Sequence, residues 1–130
     1  MPININRFQR ILEDIASDIP DDLLRELNGG IVLLPEAKRH PKAKDGDLFV
    51  LGEYRVQIPG MGRYVAIFYG SFKRVFGRAM ANGDVAALRA ELRKTLLHEL
   101  THHLESLAGV RDLEIDDERK IADYQRGGRD

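Results

Sequence analysis

The chain has 130 residues, 43% apolar and 32% charged, which suits one soluble globular domain with its own core. Its net charge of −1 supplies no field to draw it to nucleic acid or acidic lipid. The absence of cysteine excludes disulfides, thiolate metal sites and a cysteine nucleophile, so any metal must be held by His, Asp, Glu or water.

The opening MPININRFQRILEDI carries acids and amphipathic spacing where a signal peptide would carry a basic stretch and an apolar run. No apolar run approaches membrane length. A cytoplasmic location and no membrane partner are therefore expected. Asn6 is expected to cap a first helix, with Phe8, Ile11, Leu12, Ile15 and Ile19 on one apolar stripe. Pro20 restarts the chain, and residues 21–27 form a short second helix closed by Asn28, Gly29 and Gly30. Residues 31–34 read as a buried strand. Residues 35–47 are a loop made basic by Lys38, Arg39, Lys42 and Lys44. No aromatics interleave with those charges, so the loop reads as solvated and no nucleic-acid partner is expected.

Residues 48–58 are expected as strand, bent or broken near Gly52, with a turn at 59–62. Residues 63–70 are β-branched and aromatic and make the clearest strand. Ser71 is expected to cap a short helix reaching Met80, and Asp84 to cap a long one from about Val85 to Leu107, stopped by Gly109. An acidic stretch at 112–118, a last short helix to Arg126 and a frayed tail complete the chain. No repeat or linker divides it, so 1–130 is read as one domain. Helices, then about three strands, then helices predict an α+β fold with a small, largely antiparallel sheet.

The long helix contains HELTHHLESLAGVRD, residues 98–112. His98 and His102 are one turn apart on one helix face, where their imidazoles can converge on one tetrahedral ion. Glu99 sits beside the pair, placed to act as general base on an activated water without taking a ligand position. Leu92, Leu96, Leu100, Leu104 and Leu107 occupy the other side. His103 falls among those leucines and is expected to be a structural, hydrogen-bonded residue. Glu105 shares the histidine face but lies too far along the axis from His98 to join the same ion easily. It is expected behind His102, with direct ligation as its alternative role.

These residues resemble the zincin metallopeptidases. More closely, most of the chain resembles a family of minimal zincins, small bacterial proteins first catalogued as a domain of unknown function. The resemblance rests on IFYGSF, a short helix and RKTLLHELTHH in that order. It implies a zincin-like fold, one Zn2+ ion, a peptide or protein substrate, His98 and His102 as ligands and Glu99 as catalytic base. Family members place an aspartate ligand in a Gly-x-x-Asp unit, present here as Gly109-Val110-Arg111-Asp112 but four residues late. Asp112 is thereby the first choice for third ligand, ahead of Glu105, Glu114, Asp116 and Glu118. By the same analogy the 63–70 strand is expected at the sheet edge above the metal, with Tyr64 or Tyr69 near the scissile carbonyl. The alternative to a peptidase is a non-catalytic zinc- or peptide-binding module.

Overall fold

The computed structural model describes residues 1–42, 48–58 and 62–125, with 57–58 and 110–125 as backbone only. Helix α1 spans Ile5–Ser17. Its cap is Asn4, two residues before the expected Asn6, and the Asn4 side-chain oxygen accepts from the Arg7 N–H at 2.9 Å. The expected stripe is buried, with Phe8, Ile11, Leu12 and Ile15 facing the core and Ile19 following them. The second helix is a single 3-10 turn, Asp21–Leu24. Glu26 follows with φ +62°, a left-handed conformation that turns the chain toward β1.

Among the described residues five strands follow: β1 (Gly30–Leu34), β2 (Lys38–Arg39), β3 (Phe49–Val50), β4 (Gly52–Ile58) and β5 (Gly62–Phe68). β2 and β3 form a small hairpin, and the main sheet has the order β1-β5-β4. The fold is α+β as expected, but the sheet is mixed. β5 pairs antiparallel with β4 and parallel with β1. A parallel pair needs a long connection, and here the β2–β3 hairpin and β4 supply it. The 63–70 stretch was expected as an edge strand; its residues up to Phe68 form the central strand, Tyr69 and Gly70 already begin the helix that follows, and β4 is an edge. Its composition fits that position. Val65 and Ile67 face the main core, while Tyr64, Ala66 and Phe68 pack on the other face with Val32, Leu34 and Val50. A strand buried on both faces needs an unbroken apolar run.

The expected helix from Ser71 is two helices, α2 (Tyr69–Val75) and α3 (Gly77–Ala81), separated at Phe76. Ser71 lies inside α2, where its buried hydroxyl accepts from the Lys38 N–H at 2.9 Å. Gly83 ends α3 at φ +71°. Asp84 then caps α4 as expected, accepting from the Ala87 N–H at 3.1 Å. α4 spans Val85–Gln125. Gly109 does not stop it, and the separate last helix expected at the C-terminal end is part of the same element. Leu88, Leu92, Leu96 and Leu100 lie against α1, β5, Phe72 and Met80 in the core, while Leu104 is largely outside it. Among the described residues no helix is long and apolar enough to cross a membrane.

Candidate metal centre

α4 carries the motif across the inner face of the sheet, next to β4. Along β4, Gly52 and Tyr54 point toward α4, whereas Glu53 and Arg55 point to the other face and join Lys38 and Tyr64. Gly52 is the point of closest approach. A Cβ there would stand 2.9 Å from Thr95 Cγ2, 3.2 Å from Ile67 Cδ1 and 3.3 Å from Glu99 Cγ. Only a glycine lets the strand lie this near the helix without displacing those atoms.

His98 and His102 are exposed side chains of α4. Their Nε2 atoms are 3.3 Å apart and their rings are nearly perpendicular, at 87°. Two nitrogens bound at about 2.0–2.1 Å to a tetrahedral ion stand about 3.3–3.4 Å apart. At this separation the pair shares either one proton or one cation. On the far side of His102, the Glu105 carboxylate lies 3.4 Å from Nδ1. That favours a proton on Nδ1 and turns the Nε2 lone pair toward His98. Glu105 is thus behind His102, as expected, and not between the histidines.

Glu99 is the buried member of the motif, at 8% exposure. Burial pushes its carboxyl above the ordinary carboxylate range; His98, His102 and the Tyr54 backbone N–H oppose that push, and Glu53 adds slightly to it. Glu99 lines a cleft of about 390 Å3 together with Thr95, His98, Glu91 and Lys94 of α4, Phe49–Gly52 and His40.

His103 belongs to the core, as expected. Its Nε2 is 2.7 Å from the Arg25 carbonyl, which can only accept, so Nε2 carries a proton. Nδ1 faces the Tyr54 hydroxyl at 2.8 Å, and that oxygen accepts from Arg63 at 2.9 Å. The network ties β4, β5 and α4 to the turn after the 3-10 helix. It had no sequence signal beyond the position of His103 on the apolar side of the wheel.

The remaining expected site residues stand elsewhere. Tyr64 is on the opposite sheet face, hydrogen-bonded to Arg55. The Tyr69 hydroxyl donates to the Ile3 carbonyl at 3.1 Å, and its ring packs edge-on against Phe8. Asp112 is on α4 itself. In a continuous helix it lies about 15 Å beyond His102 along the axis, too far to share its ion. The side chains of Asp112, Glu114, Asp116 and Glu118 are outside the described ones. Among the described residues no group of three or more His, Asp or Glu side chains is placed to hold a metal. The donors that are described fit two positions of a tetrahedral zinc site, not a complete one.

Reading the chain alone missed Gly52, Tyr54 and His40. Gly52 was seen only as a strand break and His40 only as part of a basic loop.

No protein-family model matches the chain, and no curated protein does. Among solved structures, it is similar to a conserved hypothetical protein from Thermus thermophilus, at 37% identity and a TM-score of 0.68. The match covers 82% of this chain and 98% of that one. At that identity and coverage, the chain belongs to the same family as the Thermus thermophilus conserved hypothetical protein.

Proposed function

We propose that the protein is a zinc-dependent peptidase of the zincin class, with the ion on Nε2 of His98 and Nε2 of His102. The observation that carries this reading is the 3.3 Å separation of those two nitrogens beside a buried glutamate. Zinc, when bound, would polarise the peptide carbonyl and acidify a water. Glu99 takes the proton of that water as its oxygen attacks the carbonyl carbon. It then delivers the proton to the nitrogen that leaves when the C–N bond breaks. A carboxyl held above its ordinary range suits both halves of the transfer. Glu105 orients the His102 ring from Nδ1. The edge of β4 beside the cleft offers main-chain groups to an extended peptide, and Phe49, Val50 and Leu51 supply an apolar wall.

By its resemblance to minimal zincins the third ligand is Asp112, which requires α4 to leave the helical path at Gly109. A second reading has an observation of its own. The pair is solvent-exposed and has no third ligand among the described side chains, which suits a non-catalytic zinc- or peptide-binding module. The test is turnover of a fluorescence-quenched peptide library by zinc-loaded wild type and Glu99→Gln, with zinc content measured on both. Turnover in wild type that the variant loses at equal zinc content supports the peptidase. No turnover by zinc-loaded wild type, or equal turnover by both, leaves the binding module.

A further inference from the structure

We propose that His40 is a second catalytic group of the cleft, an imidazole whose Nε2–H donates to the carbonyl oxygen of the bound peptide. The proposal rests on the peptidase reading and extends it to a residue outside the zinc motif.

His40 follows β2 and lines the cleft shared by His98 and Glu99. Two bonds fix it. Its backbone N–H donates to the Leu48 carbonyl at 2.8 Å, tying it to the start of β3. Its Nδ1 accepts from the Lys42 N–H at 3.0 Å. A ring nitrogen that accepts a hydrogen bond has no proton of its own, so the neutral ring carries its proton on Nε2. Among the described residues no group of the chain is bonded to that N–H.

Hydrolysis of an amide gains from a preorganised donor on the carbonyl oxygen beside the base on the water. Among the other described side chains that line the cleft, none supplies a fixed one. Glu91 and Glu99 accept. His98 has its Nε2 turned to His102. The Thr95 hydroxyl donates to the Glu91 carbonyl at 2.9 Å. Lys94 is an exposed cation whose long side chain carries no hydrogen bond to hold it, among the described residues. His40 is the ring donor on the β2–β3 side, facing the helix that carries Glu99. A peptide crossing the cleft would lie between them.

The test has two arms. In the first, the protein is labelled with 15N-histidine in the Glu99→Gln background, loaded with zinc, and titrated with a capped peptide rich in Leu and Phe. The expected result is the Nε2–H tautomer at His40, with its Nε2 signal moving as peptide is added. A ring with its proton on Nδ1, or one indifferent to peptide, overturns the proposal. In the second arm, His40→Ala is expected to lower kcat about 10²-fold with KM within about twofold, as for loss of one preorganised donor. His40→Gln, which keeps an N–H donor, partly restores kcat, and zinc content and Tm stay at wild-type values throughout. An unchanged kcat in His40→Ala overturns the proposal while the peptidase reading stands. Absence of turnover by wild type overturns the peptidase reading instead. A peptide-induced shift that persists in that case leaves His40 as a peptide contact with no catalytic role.

Discussion

Gly52→Ala tests whether β4 and α4 are held as close as the structure places them. The new Cβ would sit 2.9 Å from Thr95 Cγ2, inside the range that carbon atoms tolerate. Thr95 cannot simply turn away. It is β-branched, and its hydroxyl is bonded to the Glu91 carbonyl at 2.9 Å, so rotating the methyl group breaks that bond. Ile67 Cδ1 at 3.2 Å is the end of a flexible chain and gives more easily. Overpacking of this kind costs about 1–3 kcal/mol, or a Tm lower by roughly 3–12 °C for a domain of this size.

The cause is isolated by repeating the substitution in a Thr95→Ser background, which removes Cγ2 and keeps the hydroxyl. If the clash is the origin, the double variant loses less than the sum of the two single ones by about 1 kcal/mol, measured by urea unfolding. Additivity to within about 0.5 kcal/mol would refute the close approach. Glu99 Cγ, at 3.3 Å, adds a functional signature. Relief at Thr95 does not relieve Glu99, so the double variant should recover stability and still turn over peptide more slowly than wild type.

Three further outcomes are expected. His103→Leu leaves the Arg25 carbonyl without its donor, removes the acceptor of the Tyr54 hydroxyl and empties a fully buried ring site, costing about 2–4 kcal/mol by urea unfolding. Zinc binding at His98 and His102 is unaffected, since His103 belongs to the other side of the helix; a cost under about 0.5 kcal/mol would count against the network. Glu105→Gln weakens zinc binding by about tenfold or more in a competition assay, because the carboxylate no longer favours the proton on His102 Nδ1; equal affinity would remove Glu105 from the site. In metal-free protein, Glu99→Gln stabilises the fold, and more so as pH rises. The wild-type carboxyl is held above its ordinary 4.5 by burial, so its protonated form stabilises the fold below that value and this contribution is lost as pH climbs through the raised one. A Tm difference that does not change between pH 5 and 8 would contradict the burial of Glu99.

The pairing of His98 with His102 and the place of Glu99 beside them could be read from the chain because they depend on one local rule. Four residues along a helix bring two side chains to one face, whatever packs behind. The stripes of α1 and α4 were legible for the same reason, as were Asp84 and the core position of His103. The sheet was less so. The alternating faces of residues 63–70 are both apolar, and such a run marks a central strand; treating it as an edge came from the analogy and not from the residues. The mixed pairing was hidden because it depends on where the chain returns after the β2–β3 hairpin. Gly52 was hidden because its meaning lies in Thr95 and Glu99, more than forty positions away.

The third ligand is the point at which local rules conflict. A glycine inside a helix costs about 1 kcal/mol relative to alanine, and Gly109 stands in open space where no tertiary contact demands it. By propensity alone this is the weakest joint described in α4, and the sequence expectation that the helix stops there used that fact. Nothing in the propensities of the residues after it compels a stop, and α4 continues to Gln125. The continuous helix keeps Asp112 on nearly the same face as His98, since fourteen residues at about 100° each come within about 40° of a whole number of turns. The face is right and the distance is wrong. Breaking the helix at Gly109 would give up a few main-chain hydrogen bonds, each worth about 1 kcal/mol net. Complete structural zinc sites contribute about 10 kcal/mol or more to folding, so a fraction of that, gained by adding Asp112 to His98 and His102, would offset the break. Zinc analysis of Asp112→Ala, with circular dichroism of wild type before and after loading, decides between the two arrangements. Recruitment of Asp112 lowers the helical signal on loading and the zinc content in the variant together. If neither changes, the ion is held without Asp112 and α4 stays whole.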